Sequence, residues 1–355
     1  MTATKSTSTK GPSAAITSFV VASRYLPVYV AILLLVIVAA VWVPQILSPV
    51  ALAAIAPFGA LLAITALGQM LVVMTGGIDL STPGTLTLAA MIMVGVGQQS
   101  DDRIPVAIGA ALGVAALIGL LNGVLIGGIK LNPLIVTLAV GQVVVGVVNR
   151  YARTFPVQSA VPTGWSEWTS NRIWGISPIF WIGLGVTLLL IVALRYTSFG
   201  RRFQVVGANP VASQVVGVRV TFNQVMVYVV ASVLYAVAGV ALAGLLRNPG
   251  VNIGSPYLLG PIAAVVIGGA SLTGGLASPL STFAAAFFLT GLNQMMLALG
   301  LPTSLQFVVF GLVIIGGMLV SGDRIIKAVE RVLRERRRPT RPTDGDPVAQ
   351  PHDPG

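Results

Sequence analysis

Residues 52–74 read LAAIAPFGALLAITALGQMLVVM, a run with no charged side chain and only Thr65 and Gln69 to break its apolar surface. A helix of that length covers roughly 30 Å, the hydrocarbon thickness of a bilayer, and lipid requires it to be apolar all round. The same pattern recurs on either side. Apolar stretches fall at 27–47, 82–98, 104–127, 131–148, 178–194, 222–246, 257–270, 279–298 and 303–320. Of the 355 residues, 55% are hydrophobic and 9% charged, too little charge to cover a water-soluble fold of this size. The expected fold class is an all-α polytopic membrane protein with about ten transmembrane helices. The stretches at 82–98 and 257–270 are short and interrupted by Gly and Pro, so each reads either as a crossing or as a broken, re-entrant segment.

Composition removes several chemistries. Cysteine is absent, so no disulfide, thiolate metal site or cysteine nucleophile is available. The single histidine, His352, lies in a Pro/Asp/Gly-rich tail, which leaves no histidine triad or zinc site within the apolar region. No metal site and no catalytic residue is expected. The net charge of +11 sits at the edges of the apolar stretches, which points to topology rather than to nucleic acid.

With ten crossings both termini share one side. Lys5, Lys10, Arg24, Lys130, Arg195, Arg201, Arg202, Arg219 and the eight basic residues from Arg324 onward then share that side, sixteen of the 21 Lys and Arg. The positive-inside rule makes it the cytoplasm. The domain plan is a cytoplasmic N-terminal segment (1–26), a transmembrane domain (27–320) and a cytoplasmic basic segment with a disordered tail (321–355). On the other face, 149–177 carries Trp165, Trp168 and Trp174. They form either an interfacial aromatic belt or a lip for an external partner.

Two short motifs echo one another. Gly76-Gly77-Ile78-Asp79-Leu80-Ser81 is matched 192 residues later by Gly268-Gly269-Ala270-Ser271-Leu272-Thr273, each after an apolar helix. Paired interruptions in corresponding halves mark the pathway of many transporters. They suggest two pseudo-repeated halves; tight helix packing at two loops is the alternative. Asp79 is the only acidic residue before Asp101. An ionisable group at that depth is a functional-site candidate, but Asp79, Ser81 and Thr82 before Pro83 also form a good helix cap.

Between the sixth and seventh stretches, the segment 197–218 is too polar to span and too regular for a linker. Asn209 followed by Pro210 marks a helix start and Gly217 a stop. The result is a two-turn helix carrying Val211, Ala212 and Val215, with Val211, Val215 and Val218 on one side. That spacing suits an element that docks in a partner's groove. An ordinary basic loop would account for Arg201 and Arg202 but not for the helical pattern.

Four pieces carry a resemblance to the membrane permeases of ribose-type ATP-binding-cassette sugar importers. They are 76–81, the run NPLIVTL at 132–138, the loop 200–218, and 262–275 with its Ala-Ala-Val-Val-Ile-Gly-Gly core. In order and spacing the resemblance covers about 50 to 320. It implies a multi-pass permease of the bacterial cytoplasmic membrane that pairs with a second copy or a second permease. A cytoplasmic ATPase subunit, which holds the ATP and Mg, would dock at Gly200, Arg201, Gly207, Asn209, Val211, Ala212, Val215 and Gly217. An extracytoplasmic binding protein would deliver the solute, and the permease itself would bind no cofactor. In keeping with that division, none of Lys5, Lys10, Lys130 and Lys327 lies in a Walker-type phosphate loop. One departure stands out: where family members commonly carry Glu-Leu-Asp, this chain has Leu258-Leu259-Gly260.

The substrate expected from the resemblance is a monosaccharide first, then a polyol, a nucleoside or a branched-chain amino acid. Pathway candidates are Asp79, Asn132, Thr137 and Asn293, with Asn122 and Gln142 as further polar residues of the apolar stretches; each could instead bond helix to helix. Gly76, Gly77, Gly268 and Gly269 are the helix-break candidates. The competing function is an ion-coupled secondary transporter, for which Asp79 is the one plausible coupling group. An intramembrane enzyme lacks the paired groups it would need.

Overall fold

The computed structural model describes residues 25–154 and 159–320. The expected cytoplasmic segments at 1–26 and 321–355 lie outside these residues, apart from Tyr25 and Leu26. Among the described residues thirteen α-helices run in order: α1 (Leu26–Trp42), α2 (Pro49–Met74), α3 (Thr82–Gly97), α4 (Ile104–Gly123), α5 (Pro133–Ala152), α6 (Thr163–Ser170), α7 (Pro178–Tyr196), α8 (Ser198–Ala208), α9 (Pro210–Val215), α10 (Val220–Leu246), α11 (Gly260–Ile267), α12 (Pro279–Ala298) and α13 (Thr303–Val320).

Five of the helix starts follow one chemical rule. Ser48-Pro49, Asn132-Pro133, Ser177-Pro178, Asn209-Pro210 and Ser278-Pro279 each place a capping side chain before a proline at the first helical position. The cap oxygen accepts a backbone N–H of the first turn, as Asn132 Oδ1 does from Leu134 at 2.9 Å. Proline fits there because its missing N–H would have had no partner. Near hydrocarbon such self-contained starts matter, because water is scarce and open donors are costly.

Among the described residues six segments are long and apolar enough to cross a bilayer: α2, α4 with its flanking turns (Asp101–Gly128), α5, α7, α10 and α12. The apolar helices at α1, α3, α11 and α13 are shorter. The protein is thus an all-α, polytopic membrane protein. The stretch 257–270 is no simple crossing, since α11 has eight residues and a rise of about 12 Å, less than half the hydrocarbon thickness.

Two helices form the centre. α10 packs on α2, α3 and α4, and α2 packs on α7, α11 and α12. The approach of α4 to α10 is close enough to exclude side chains. A Cβ on Gly119 would lie 2.7 Å from the Val229 Cα, and one on Gly123 would lie 2.7 Å from the Val225 Cα. In lipid, such backbone-to-backbone contact replaces the hydrophobic drive that water would supply.

Candidate functional site

Both helix breaks form, and they end in the same way. At the end of α2, Gly76 N–H donates to Val73 O at 2.9 Å and Gly77 N–H to Val72 O at 3.1 Å. At the end of α11, Gly269 N–H donates to Val266 O at 3.0 Å and Ala270 N–H to Val265 O at 3.1 Å. Gly76 and Gly269 have φ of 82° and 80°, the left-handed cap that glycine adopts without steric cost. The structural equivalents are therefore Gly76 and Gly269, one position out of register with the sequence echo, which set Gly76 against Gly268. The breaks also touch, because Gly275 N–H donates to Met74 O at 2.8 Å.

Asp79 holds the first break together. Its Oδ1 accepts from Ser81 N–H at 2.8 Å and from Ser81 Oγ at 2.6 Å, an Asx turn that leads into α3. Ser81, not Asp79, occupies the N-cap position. Asn122 Nδ2 of α4 donates to Ser81 Oγ at 3.0 Å, and Leu80 N–H donates to Thr137 Oγ1 of α5 at 2.9 Å. With its amide oriented to satisfy both ends, Gln69 accepts from Asp79 N–H and donates to Asp79 O, each at 3.1 Å. Asp79 Oδ2 and the Tyr228 hydroxyl are buried without a hydrogen-bond partner among the described residues.

The polar segment after α7 folds into two helices rather than one. Thr197 Oγ1 caps α8 by accepting Gly200 N–H at 3.1 Å, and Asn209 Oδ1 caps α9 by accepting Ala212 N–H at 3.0 Å. Ser213 Oγ donates to Val205 O at 3.0 Å and to Asn209 O at 2.7 Å, which fastens α9 to α8. Gly217, at φ 80°, closes the unit. The inner face of α8 buries Gly200, Phe203, Val206 and Gly207. A Cβ on Gly207 would overlap Met74 O and lie 2.9 Å from Gly275 N, so this helix rests on both breaks at their point of contact. The outer face of α9 is bare, with Val211 71%, Val215 84% and Val216 72% exposed. Val216 rather than Val218 completes the apolar group. Ala212, Arg201 and Arg202 are exposed beside it.

The pathway candidates separate. Asp79 and Thr137 meet at the first break. Asn132 is exposed as the cap of α5, and Gln142 is exposed on the same helix. Asn293 lines a cavity of about 320 Å³ between α2, α10, α11 and α12. On the opposite face Trp165 stacks on Trp168 at 5.1 Å and donates from Nε1 to Val240 O at 2.9 Å, so α6 is pinned to α10, while Trp174 is 85% exposed. Sequence reasoning missed the α4 contact. Its signal was present as Gly119, Gly123 and Gly127 at four-residue spacing, a small-residue stripe of the kind that joins helices in lipid.

Paired helix interruptions inside an apolar bundle are a feature of many membrane transporters. The chain belongs to the family described as branched-chain amino acid transport system / permease component, whose model matches residues 51–318. It is 30% identical to the autoinducer 2 import system permease protein LsrC of Enterobacter sp. (strain 638), over 87% of this chain and 89% of the relative. It is 32% identical to the ribose import permease protein RbsC of Bacillus subtilis (strain 168), over 82% of this chain and 91% of the relative. A probable ABC transporter permease protein, y4mJ of Sinorhizobium fredii (strain NBRC 101917 / NGR234), is 32% identical over 84% and 88% respectively. No solved structure matches.

Proposed function

We propose that the chain is the membrane-spanning permease subunit of an ATP-binding-cassette importer for a small, sugar-like solute. A separate cytoplasmic ATPase, which holds the ATP and Mg, docks on α9, and an extracytoplasmic binding protein delivers the solute. The chain acts with a second copy or a second permease in the bacterial cytoplasmic membrane. It has about ten transmembrane helices, the one at α11 broken, with both termini in the cytoplasm and two pseudo-repeated halves, and it binds no cofactor.

The carrying observation is the position of the helix pair. Its bare valines face outward, while Gly207 on its inner side rests against the contact of the two breaks. A partner that moves α9 therefore moves Met74 and Gly275 without an intervening flexible linker. The sugar-like solute is supported by the names of two relatives, one an autoinducer 2 and one a ribose import permease.

The test is solute uptake by cells with and without the chain, with ATP and the ion gradients depleted separately. The proposal predicts import of a radiolabelled sugar that stops with ATP and survives a protonophore. Import that survives ATP depletion and collapses with the gradient would instead identify an ion-coupled carrier.

A further inference from the structure

The cavity beside α11 has one polar wall. Thr290, Asn293 and Gln294 lie at i, i+3 and i+4 on α12 and so share a face, while Phe58 and Tyr257 contribute aromatic surface to the lining. The Thr290 hydroxyl donates back to Ala286 O at 2.9 Å and keeps only acceptor capacity. The Asn293 and Gln294 side chains make no hydrogen bond among the described residues, so two amides are free to donate and accept. No Asp, Glu, Lys or Arg lines the space. Its volume of about 320 Å³ falls at the small end of ligand sites, which run to roughly 300–1,000 Å³.

These features select a chemistry. An amino acid carries two opposite charges, and a wall without charge leaves both desolvated and unpaired, a cost of several kcal/mol. A sugar or cyclic polyol is neutral, presents hydroxyls to amides and C–H faces to aromatic rings, and needs no ionic partner. Gly260 adds room at the start of α11, where a Cβ would lie 3.0 Å from Leu62 Cδ1.

We propose that this cavity holds an uncharged polyhydroxylated solute of monosaccharide size, that Asn293 and Gln294 determine its specificity, and that it rejects free amino acids. The proposal rests on the importer reading and gives its sugar-like solute a place in the chain and two residues that select it.

The full chain contains no cysteine, so a single introduced thiol reports without background. Leu246→Cys places it at the mouth of the cavity, where Leu246 is 43% exposed, and leaves both amides intact. The purified protein is labelled with a water-soluble maleimide in the presence of D-ribose, myo-inositol or L-leucine. A solute present at about twice its Kd slows labelling about threefold. Ribose or inositol is expected to give this protection and leucine none. Adding Asn293→Leu is expected to remove it, with the melting temperature checking that the double variant folds. Val215→Cys, far from the cavity, should label at one rate throughout.

Protection by leucine, equal to or above that by the polyols, would overturn the solute class. Protection by none of the three, or a thiol reached only by a lipid-soluble maleimide, would show that the space holds no solute. Because no ATPase is present, these outcomes stand apart from the ATP dependence that tests the importer reading.

Discussion

Asp79 uses its two carboxylate oxygens unequally, and that inequality separates structure from ion coupling. Oδ1 takes both bonds from Ser81, and Oδ2 takes none. Asp79→Asn keeps the accepting oxygen and replaces only the unpartnered one. It should leave the melting temperature nearly unchanged and uptake within about twofold, a difference of roughly 0.4 kcal/mol. Asp79→Ala strips both bonds and should cost about 2 kcal/mol. Uptake abolished in a stable Asp79→Asn variant would make the carboxylate a coupling group. Gly207 allows a second test at this scale. Gly207→Ala drives a methyl into Met74 O, so uptake should fall at least tenfold, about 1.4 kcal/mol. Gly113→Ala is the control, since its Cβ meets nothing within 4 Å. The turn-forming chemistry of Asp79 and Ser81 was legible because it is local. Asn122 and Thr137 were legible as polar residues able to bond helix to helix, but their partners, the Ser81 hydroxyl and the Leu80 N–H, were not, because those contacts join separate helices.

At the scale of elements, helix starts were the most legible feature, because Ser-Pro and Asn-Pro combine a cap with a residue that tolerates only the first turn. The short helix at Asn209-Pro210 was read correctly on that ground. α8 before it was not separately recognised, since its inner face is largely glycine and valine and takes its meaning from what lies beneath. The echo of the helix breaks was visible, but its register was not, because the left-handed cap falls on the first glycine of one pair and the second glycine of the other. Gly76→Ala should cost about 1 kcal/mol through that left-handed backbone, since a Cβ there meets only Thr273 O at 4.0 Å. Gly119→Leu wedges α4 from α10 and should cost about 3 kcal/mol or prevent folding. Thermal unfolding in detergent reads both.

For the whole molecule, an apolar run establishes that lipid is the solvent but not how many times the chain crosses it. Among the described residues six segments are long and apolar enough to cross, and α1, α3, α11 and α13 are shorter. Single cysteines settle the sides. Lys10→Cys and Gln350→Cys should be shielded from an impermeant maleimide in intact cells, and Trp174→Cys should be labelled. The central claim, that α9 is the handle by which an ATPase works the helix breaks, is tested most directly by capture. The detergent-solubilised chain, wild type or Val215→Asp, is used to retain partners from its own cell's cytoplasm. Val215 is 84% exposed, so the substitution leaves the fold intact while placing a charge in the docking face. The account predicts that an ABC ATPase is retained by the wild type and lost with Val215→Asp at equal melting temperature. Equal retention by both, or no ATPase on a well-folded wild type, would contradict it.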